Sequence, residues 1–390
     1  MRIAIIVRSL KIGGMERVAI SLAEAFASNS HESHLIYFKN KKNTLTPEKD
    51  VYLHHFNLDR FMHLTIFGFF YDLFFRIFNI FLRKSYPYFK GLFTSQIFKH
   101  KFHKLEKEFG KFDLIIVRGQ GTLELIFQNS DPRIVLVSEN IFSYGTMNKL
   151  IKNIQIKSLY HNRNIVGVSN GVVQNFQQLS KDINTQPKKL IKITNPINPK
   201  QIETLSNKYI PNVKEPFILS VGRIVPAKNI PLLVSAYSHV KHHYNIPHKL
   251  VIIGIGSDLP SVQRKIEELS LEENVILVGQ ISNPFPWMKH ADLFILSSKF
   301  EGLGMVLLEA LACQTKVVAT KSTGGVTDIM KDELAPYLAE QTPESLGEKI
   351  ASTLLDTSKS IDYKKHLLAF KPVTIINQYI NAFVVTDTPS

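Results

Sequence analysis

The sequence predicts an α/β protein made of two doubly wound domains, each with a parallel sheet covered by helices. Short apolar runs of strand length alternate with helical segments along the whole chain. Several of these runs end in glycine-containing loops, as the strands of open parallel sheets often do. The chain has 390 residues, of which 44% are hydrophobic, so it is long enough for two domains of ordinary size.

The charge balance indicates an anionic partner. The chain carries 47 basic and 33 acidic residues, a formal net charge of +14. Nucleic acid, a phosphate-bearing substrate or an anionic membrane surface would each suit this charge. The sequence shows no zinc-ligand spacing and no known nucleic-acid motif, so nucleic acid is not expected. A basic surface that serves only solubility is the alternative.

The cysteine content and the amino terminus favour the cytoplasm. Cys313 is the single cysteine and lies in an apolar helical stretch, so an internal disulfide is excluded. The opening run MRIAIIVR is too short for a signal-peptide core. No stretch of about 20 residues is free of charge, so no spanning helix is expected.

The first half of the chain alternates strands and helices. Its expected strands are 2–7, 35–38, 51–56, 112–117, 134–137 and 165–169. Gly13 and Gly14 lie between the first strand and the first helix, where the backbone can closely approach a phosphate or sugar. Glu139 follows the strand 134–137 and is the nearest ionisable residue at that strand end, although a loop carboxylate without a role is as reasonable.

Residues 61–107 form a segment dense in aromatic residues with basic residues between them. Asp72 and Arg76 interrupt its apolar run, so a membrane span is not predicted. One interpretation is an interfacial segment, with aromatic rings in the headgroup zone and basic residues against anionic lipid. The other is a set of helices that pack on the first sheet with basic outer faces.

The second half of the chain repeats the same alternation after the proline-containing segment 191–199. Its expected strands are 217–221, 249–254, 275–279, 292–296, 316–319 and 335–338. In the loop after the first of them, Gly222 is followed by Arg223 and Lys228. A guanidinium fork and a mobile ammonium can together clamp a diphosphate, and a solvated basic turn is the alternative.

Glu301 and Glu309 follow the strand 292–296. Eight helical steps turn through about 800°, so the two carboxylates cannot lie one above the other on a helix. We therefore place Glu301 in the loop 300–304 and Glu309 inside the helix that starts at Met305. Glu309 lies among apolar residues and can bind a sugar diol, or it is an ordinary surface glutamate. The loop can present backbone N–H groups to an anionic ligand from Gly302, Leu303, Gly304 and Met305.

These segments resemble the E-x7-E and G-R-x4-K motifs of retaining glycosyltransferases of family 4. That family has the GT-B arrangement, in which two Rossmann-like domains face each other across a cleft. The resemblance implies an acceptor-binding domain at 1–200 and a donor-binding domain at 201–370. It also implies a C-terminal helix at 371–385 that packs back on the first domain. The resemblance covers the second domain well and the first in outline.

The resemblance also implies roles for the candidate residues. Arg223 and Lys228 would hold the donor diphosphate, Glu309 the ribose hydroxyls, and Glu301 with the N–H groups of the loop the sugar. The remaining donor-binding candidates are Gly13, Gly14, Gly222, Gly254, Gly256 and Ile281. Many relatives carry a histidine near the position of Glu139, which makes Glu139 the second catalytic candidate beside Glu301.

The function implied by the resemblance is retaining transfer of a hexose or N-acetylhexosamine from a nucleotide-diphospho-sugar, with UDP as the nucleotide. The acceptor would be a lipid-linked or lipopolysaccharide saccharide at the inner face of a membrane, which residues 61–107 would contact. No cofactor and no metal site are expected, since Arg223 and Lys228 can neutralise the diphosphate. The missing histidine favours front-face attack over a Glu301 nucleophile. A GT-B nucleotide-sugar epimerase and a non-catalytic membrane-associated nucleotide-sugar-binding subunit are the alternatives.

Overall fold

The chain consists of two compact units. The computed structural model describes residues 1–11, 13–39, 45–48, 50–83, 85–141, 149–356 and 362–384. One unit comprises Met1–Pro196 and Pro372–Ser390, and the other comprises Ile197–Lys371. The chain therefore passes between the units within a few residues of the predicted boundaries at 200 and 370.

The first unit contains a parallel sheet of seven strands in the order β3-β2-β1-β4-β5-β6-β7. The strands are β1 Arg2–Ser9, β2 Glu32–Lys39, β3 Tyr52–His55, β4 Leu114–Arg118, β5 Ile134–Ser138, β6 Asn164–Gly167 and β7 Lys189–Lys192. The central strands are buried on both faces, which explains their continuous apolar runs.

Helices cover both faces of this sheet. They are α1 Gly14–Ser28, α2 Leu58–His63, α3 Ile66–Phe81, α4 Tyr86–Phe109, α5 Gln120–Leu123, α6 Lys149–Tyr160 and α7 Asn170–Asp182. A C-terminal helix, α16 Pro372–Phe383, belongs to the same unit and packs on α1. Residue 385 of the predicted C-terminal helix lies outside the described residues.

The helices α3 and α4 of the aromatic segment 61–107 differ in how far their apolar side chains are buried. In α4, Phe98 and Phe102 are buried in the core of the first unit. In α3, by contrast, most large apolar side chains are exposed, and only Gly68 and Asp72 are buried. Within the described residues, no helix is long and apolar enough to cross a membrane.

The second unit contains a six-stranded parallel sheet in the order β10-β9-β8-β11-β13-β15. Its strands are β8 Phe217–Val221, β9 Lys249–Ile253, β10 Val275–Gly279, β11 Leu293–Leu296, β13 Val317–Thr320 and β15 Leu338–Ala339. Two further short strands, β12 Phe300–Glu301 and β14 Thr323–Gly324, pair with each other.

The helices of the second unit alternate with these strands. They are α8 Pro199–Ser206, α9 Ile230–Tyr244, α10 Leu259–Glu268, α11 Phe285–His290, α12 Met305–Ala312, α13 Val326–Ile329, α14 Pro343–Leu355 and α15 Tyr363–Leu367.

Two sequence predictions for the second unit were wrong. The predicted strand 335–338 is largely a 3-10 turn, Asp332–Tyr337, and the strand itself is Leu338–Ala339. Pro336 lacks the N–H that a strand ladder needs, which accounts for the shift. The loop predicted at 300–304 begins with a strand, because Phe300 and Glu301 pair with Thr323 and Gly324.

Candidate active site

The candidate catalytic residue Glu301 lies at the carboxyl edge of the second sheet. The loop that carries it follows β11 and is fixed by pairing between β12 and β14. The hydroxyls of Thr320 and Ser322 also donate to the Ser298 carbonyl oxygen at 2.8 and 2.6 Å. The backbone around Glu301 is therefore held from the neighbouring strand end before any ligand binds.

Glu301 forms an ion pair with Lys228, which lies 73 residues earlier in the chain. Lys228 ends a 3-10 turn, Pro226–Lys228, after β8. Two hydrogen bonds join this turn to the Glu301 loop: Ser297 Oγ donates to the Lys228 carbonyl at 2.9 Å, and the Lys299 N–H donates to the Ala227 carbonyl at 2.8 Å. The structure thus brings together two residues that the sequence assigned to different parts of the donor.

A hydroxyl group completes this cluster. Ser298 Oγ donates to Glu301 Oε1 at 2.6 Å, so one carboxylate oxygen is held by both Ser298 and Lys228. The Lys228 side chain is 20% exposed, and the Glu301 side chain is 11% exposed. An ammonium that is partly open to solvent can turn towards a diphosphate, and the carboxylate can then accept from a sugar hydroxyl.

The helix after the loop presents its amino end beside Glu301. Gly302, Leu303 and Gly304 are buried, and Gly304 has φ +92°, a conformation that favours glycine. The helix α12 begins at Met305, where the first N–H groups have no carbonyl one turn earlier in the helix to bond to, although the Leu307 N–H donates to the Gly304 carbonyl at 2.9 Å. Glu309 lies half-buried further along α12, separate from the loop, as the spacing predicted.

Three predicted donor-binding glycines bring two strand-end loops close together. A Cβ on Gly254 would lie 1.8 Å from the Gly222 carbonyl oxygen, and one on Gly256 would lie 2.0 Å from that of Ile224. The Gly222 N–H donates to the Ile253 carbonyl at 2.9 Å. These glycines therefore have a packing role, and their contact with a nucleotide remains a prediction.

Two further donor-binding candidates lie in loops at the same edge of the sheet. Arg223 lies two residues beyond the end of β8, and its side chain is exposed. Ile281 is half-buried two residues beyond the end of β10. Parallel strands bring their carboxyl ends to one edge, which is where open α/β sheets bind ligands.

The candidates of the first unit lie at the corresponding edge of its sheet. Gly13 caps α1 in an extended conformation, and a Cβ there would meet the Glu16 carboxylate at 2.5 Å. A Cβ on Gly14 would meet nothing within 4 Å, so this side of the turn is open. A cavity of about 410 Å³ lies near this turn, lined by Met15, Gly119 and Glu139 among others.

Glu139 is part of a buried network. It forms an ion pair with Arg118, which is fully buried at the end of β4. Asn195 links the two: Arg118 Nη2 donates to Asn195 Oδ1 at 2.7 Å, and Asn195 Nδ2 donates to Glu139 Oε2 at 3.2 Å. Burial raises the pKa of Tyr379, on α16, and the charges of Arg118 and Glu139 act on it in opposite directions. These contacts give Glu139 a structural role, and its catalytic role remains a prediction.

Sequence reasoning missed Ser298, Arg118 and Asn195. Arg118 ends an apolar strand, and a charge in that position needs a partner, so a carboxylate at the next strand end could have been inferred. Ser298 lies two residues beyond a buried strand at the predicted binding edge, which is a weaker signal. Asn195 lies in the segment leaving the first unit, where the sequence shows no signal of its contacts.

A protein-family model matches most of the second unit. Residues 201–366 match the family model for Glycosyl transferases group 1. The match includes the loops that carry Arg223, Lys228 and Glu301. The second unit is therefore similar to domains of this family over most of its length.

Curated relatives match part of the chain. A Campylobacter jejuni N-acetylgalactosamine-N,N'-diacetylbacillosaminyl-diphospho-undecaprenol 4-alpha-N-acetylgalactosaminyltransferase is 31% identical over 244 residues, which cover 62% of this chain and 62% of the relative. A Bacillus subtilis poly(glycerol-phosphate) alpha-glucosyltransferase is 33% identical over 168 residues, which cover 43% of this chain and 24% of the relative. The chain thus spans less than two thirds of the length of these relatives.

Solved structures match nearly the whole chain. A variant of S. aureus TarM in complex with fondaparinux, alpha-GlcNAc-glycerol and UDP has a TM-score of 0.70 at 14% identity, covering 98% of this chain and 100% of that one. Anabaena HepE in complex with UDP and glucose has a TM-score of 0.68 at 18% identity, covering 98% and 99%. The predicted fold class is confirmed: the chain has two Rossmann-like domains with parallel sheets, as the GT-B glycosyltransferases do.

Proposed function

We propose that this chain is a retaining glycosyltransferase that moves a hexose or N-acetylhexosamine from a UDP-sugar to a lipid-linked or polysaccharide acceptor. The observation that carries the proposal is the cluster of Lys228, Glu301 and Ser298 beside the amino end of α12. It combines a cation, a carboxylate and open N–H groups within a domain that matches the glycosyl transferases group 1 model.

The donor binds to the second unit in this proposal. Arg223 and Lys228 hold the diphosphate, and Glu309 accepts hydrogen bonds from the ribose hydroxyls. The base lies against the loops of Gly254, Gly256 and Ile281. Negative charge grows on the diphosphate as the glycosidic bond breaks, so cations placed there stabilise the transition state more than the ground state. The two cations supply this charge, and we propose that transfer needs neither a metal ion nor a cofactor.

Glu301 positions the sugar and is not the nucleophile in our mechanism. Its carboxylate accepts a hydrogen bond from Ser298, which lowers its nucleophilicity, and this contact remains when Lys228 turns to the diphosphate. We therefore favour attack from the front face, in which the departing phosphate takes the proton of the acceptor hydroxyl. The carbon–oxygen bond to the acceptor then forms on the face from which the diphosphate leaves, which retains the anomeric configuration.

The acceptor binds to the first unit. The open side of Gly14 and the cavity lined by Glu139 lie at the carboxyl edge of this sheet. The C. jejuni relative is named for an acceptor carried on diphospho-undecaprenol, and we propose a lipid-linked saccharide here as well.

The helix α3 contacts an anionic membrane surface. Side chains such as Phe67, Phe70 and Phe81 are 60–79% exposed and belong to one helix, and an exposed apolar patch of this kind marks an interaction site. Nearby basic side chains of the segment 61–107, including Arg83, Lys99 and Lys104, are exposed to meet lipid phosphates. We propose a peripheral position on the inner face of the cell membrane.

A donor panel tests the proposed function. The wild-type chain is incubated with UDP-, GDP-, ADP- and CMP-sugars, and thermal stability is measured with and without a chelator. We expect stabilisation by UDP-sugars, unaffected by chelator and lost in Arg223→Ala. Stabilisation by none of the four classes would contradict the donor assignment. Turnover of a UDP-sugar to its epimer without an acceptor would indicate the epimerase instead.

A further inference from the structure

A second cavity of the first unit has a predominantly basic lining. It encloses about 290 Å³ between the ends of β1 and β2 and the helices α2, α3 and α4. Its charged lining residues are Arg8, Lys39, Arg76, Lys90, Asp59 and Glu124. Four cations thus face two carboxylates.

Two of the cations share one counterion. Asp59 forms ion pairs with Lys90 at 2.7 Å and with Lys39 at 3.3 Å. Burial opposes ionisation of Asp59, but the two lysines outweigh it and hold the pKa of this carboxyl below its usual value. The Lys90 side chain is only 9% exposed, so a charged group is built into the floor of the cavity. One unit of positive charge remains for a ligand.

The other side of the cavity adds to this excess. Arg8 is exposed, and no carboxylate of the described residues forms an ion pair with it. Glu124 is the nearest candidate, but burial raises the pKa of its carboxyl and so weakens it as a counterion. The cavity is therefore suited to an anion that carries more than one negative charge.

A buried aspartate connects this cavity to α3. Asp72 accepts hydrogen bonds from Tyr86 Oη at 2.5 Å and Arg76 Nε at 2.7 Å. Burial opposes ionisation of Asp72, but these hydrogen bonds, with that of His63, hold its pKa below the usual value. Arg76 is thereby fixed at the wall of the cavity, on the helix whose other faces expose apolar side chains.

The basic cavity also adjoins the cavity that contains Glu139. Arg8 and Gly121 line both. An exposed apolar helix, a basic cavity and the cavity that contains Glu139 therefore follow one another on the first unit. This is the order of the parts of a lipid, a diphosphate and a saccharide.

We propose that the basic cavity binds the diphosphate of a lipid-linked acceptor, with Arg8, Lys39 and Lys90 as its ligands. This inference rests on the proposed function. The lipid chain lies along α3, and the first saccharide lies in the cavity of Glu139. Binding the diphosphate fixes the distance between the membrane and the acceptor hydroxyl, so the cavity selects acceptors that carry a charged linkage.

Titration calorimetry with farnesyl diphosphate tests the proposal. The full chain is used with saturating UDP, so that the donor site is filled. We expect Arg8→Gln and Lys39→Gln each to raise the Kd by about tenfold, as loss of a charge-assisted hydrogen bond does. Lys111→Gln is the matched control, because it removes an exposed lysine just before β4, at the opposite edge of the sheet. Equal Kd values for wild type, Arg8→Gln and Lys39→Gln would overturn the proposal.

Two competition experiments distinguish a lipid-linked diphosphate from a membrane headgroup as the ligand of the basic cavity. Phosphatidylglycerol vesicles and inorganic pyrophosphate are each added as competitors of farnesyl diphosphate. We expect competition by pyrophosphate that is weakened by Lys39→Gln. Vesicles, which contact α3, should compete equally well with the wild type and with Lys39→Gln. Competition by vesicles that Lys39→Gln abolishes would overturn the carrier assignment in favour of a membrane headgroup.

The same experiment distinguishes this inference from the proposed function. Failure of UDP to bind the wild-type chain, with farnesyl diphosphate binding still sensitive to Arg8→Gln, would overturn the proposed function alone. Normal UDP binding with no effect of Arg8→Gln or Lys39→Gln would overturn the inference alone. Thermal unfolding of each variant shows that the fold is retained, and Asp59 keeps Lys90 as its partner in Lys39→Gln.

Discussion

The two units each hold a glutamate paired with a cation at the carboxyl edge of their sheets. In the first unit Glu139 pairs with Arg118, and in the second Glu301 pairs with Lys228. The two carboxylate side chains are equally covered, with 11% exposure each. The cations differ: Arg118 is fully buried, whereas Lys228 is 20% exposed.

The difference lies in what surrounds the cation. Asn195 bonds to both members of the first pair, and Tyr379 of the C-terminal helix is buried beside them. Apart from the ion pair with Glu301, Lys228 is held through its backbone carbonyl, so its ammonium can move to another anion. We therefore infer that a similar pair of charges has a structural role in the first unit and, under the proposed function, prepares a ligand site in the second.

The largest expected effect is on turnover. Glu301→Gln keeps the shape of the side chain but removes its charge, and we expect the transfer rate to fall by about 10²–10³-fold. The melting temperature should stay close to that of wild type, because Lys228 can remain solvated at its partly open position. The rate is measured as UDP release from a UDP-sugar in the presence of acceptor. A transfer rate close to that of wild type would remove Glu301 from the site.

The next effect is on stability. Arg118→Met leaves the Glu139 carboxylate buried without its cation, so we expect the free energy of unfolding to fall by about 3–5 kcal/mol. Denaturant unfolding measures the loss. The double variant Arg118→Met with Glu139→Gln should recover part of it, because the uncompensated charge is gone. If Arg118→Met alone were as stable as the wild type, the ion pair of Arg118 and Glu139 would not stabilise the first unit.

The smallest effect is a pH dependence confined to the first unit. His34 Nδ1 lies 2.9 Å from His54 Nε2, at the edge of the sheet near β3. Burial, with a smaller contribution from His34, lowers the pKa of His54 to about 4. The unfolded chain takes up this proton near pH 6.5 but the folded chain only near pH 4, so stability is full above pH 6.5 and falls between these values.

In His54→Gln, the free energy of unfolding should fall by about 1 kcal/mol less between pH 6.5 and pH 4 than in the wild type. The difference is small because the imidazole ring is partly exposed to solvent. Unfolding is followed at several pH values with UDP present, so that the second unit unfolds at a higher temperature and the two transitions separate. His242→Gln, a change on the exposed end of α9 in the second unit, is the control. An unchanged pH profile in His54→Gln would assign the dependence to other groups.

The sequence predicted the strand-end loops well because their signals are local. Gly222, Arg223 and Lys228 follow one apolar strand, and Glu301 follows another, so their place at the sheet edge comes from the alternation alone. The bond between Lys228 and Glu301 could not be predicted in the same way. It depends on the pairing of β12 with β14 and on the turn that ends at Lys228, which bring distant segments together.

Burial was the other property that local pattern could not decide. Both α3 and α4 are rich in aromatic residues, yet Phe98 of α4 is buried and Phe70 of α3 is exposed. Their composition is similar, and only tertiary packing on the sheet separates the two interpretations of the segment 61–107. Arg118 follows the predicted strand 112–117, and this position alone does not show that its guanidinium is fully buried. Its partners come from the residue after β5 and from the segment around Asn195.

The most direct test of the central claim is calorimetric titration of UDP into wild type, Lys228→Met and Arg118→Met. The claim is that the open pair is the ligand site and the buried pair is structural. We predict that Lys228→Met raises the Kd for UDP by about tenfold or more, since a charge-assisted contact to the diphosphate is lost. Arg118→Met should leave the Kd unchanged at a temperature where it is folded. A Lys228→Met variant that binds UDP as tightly as wild type would contradict the account.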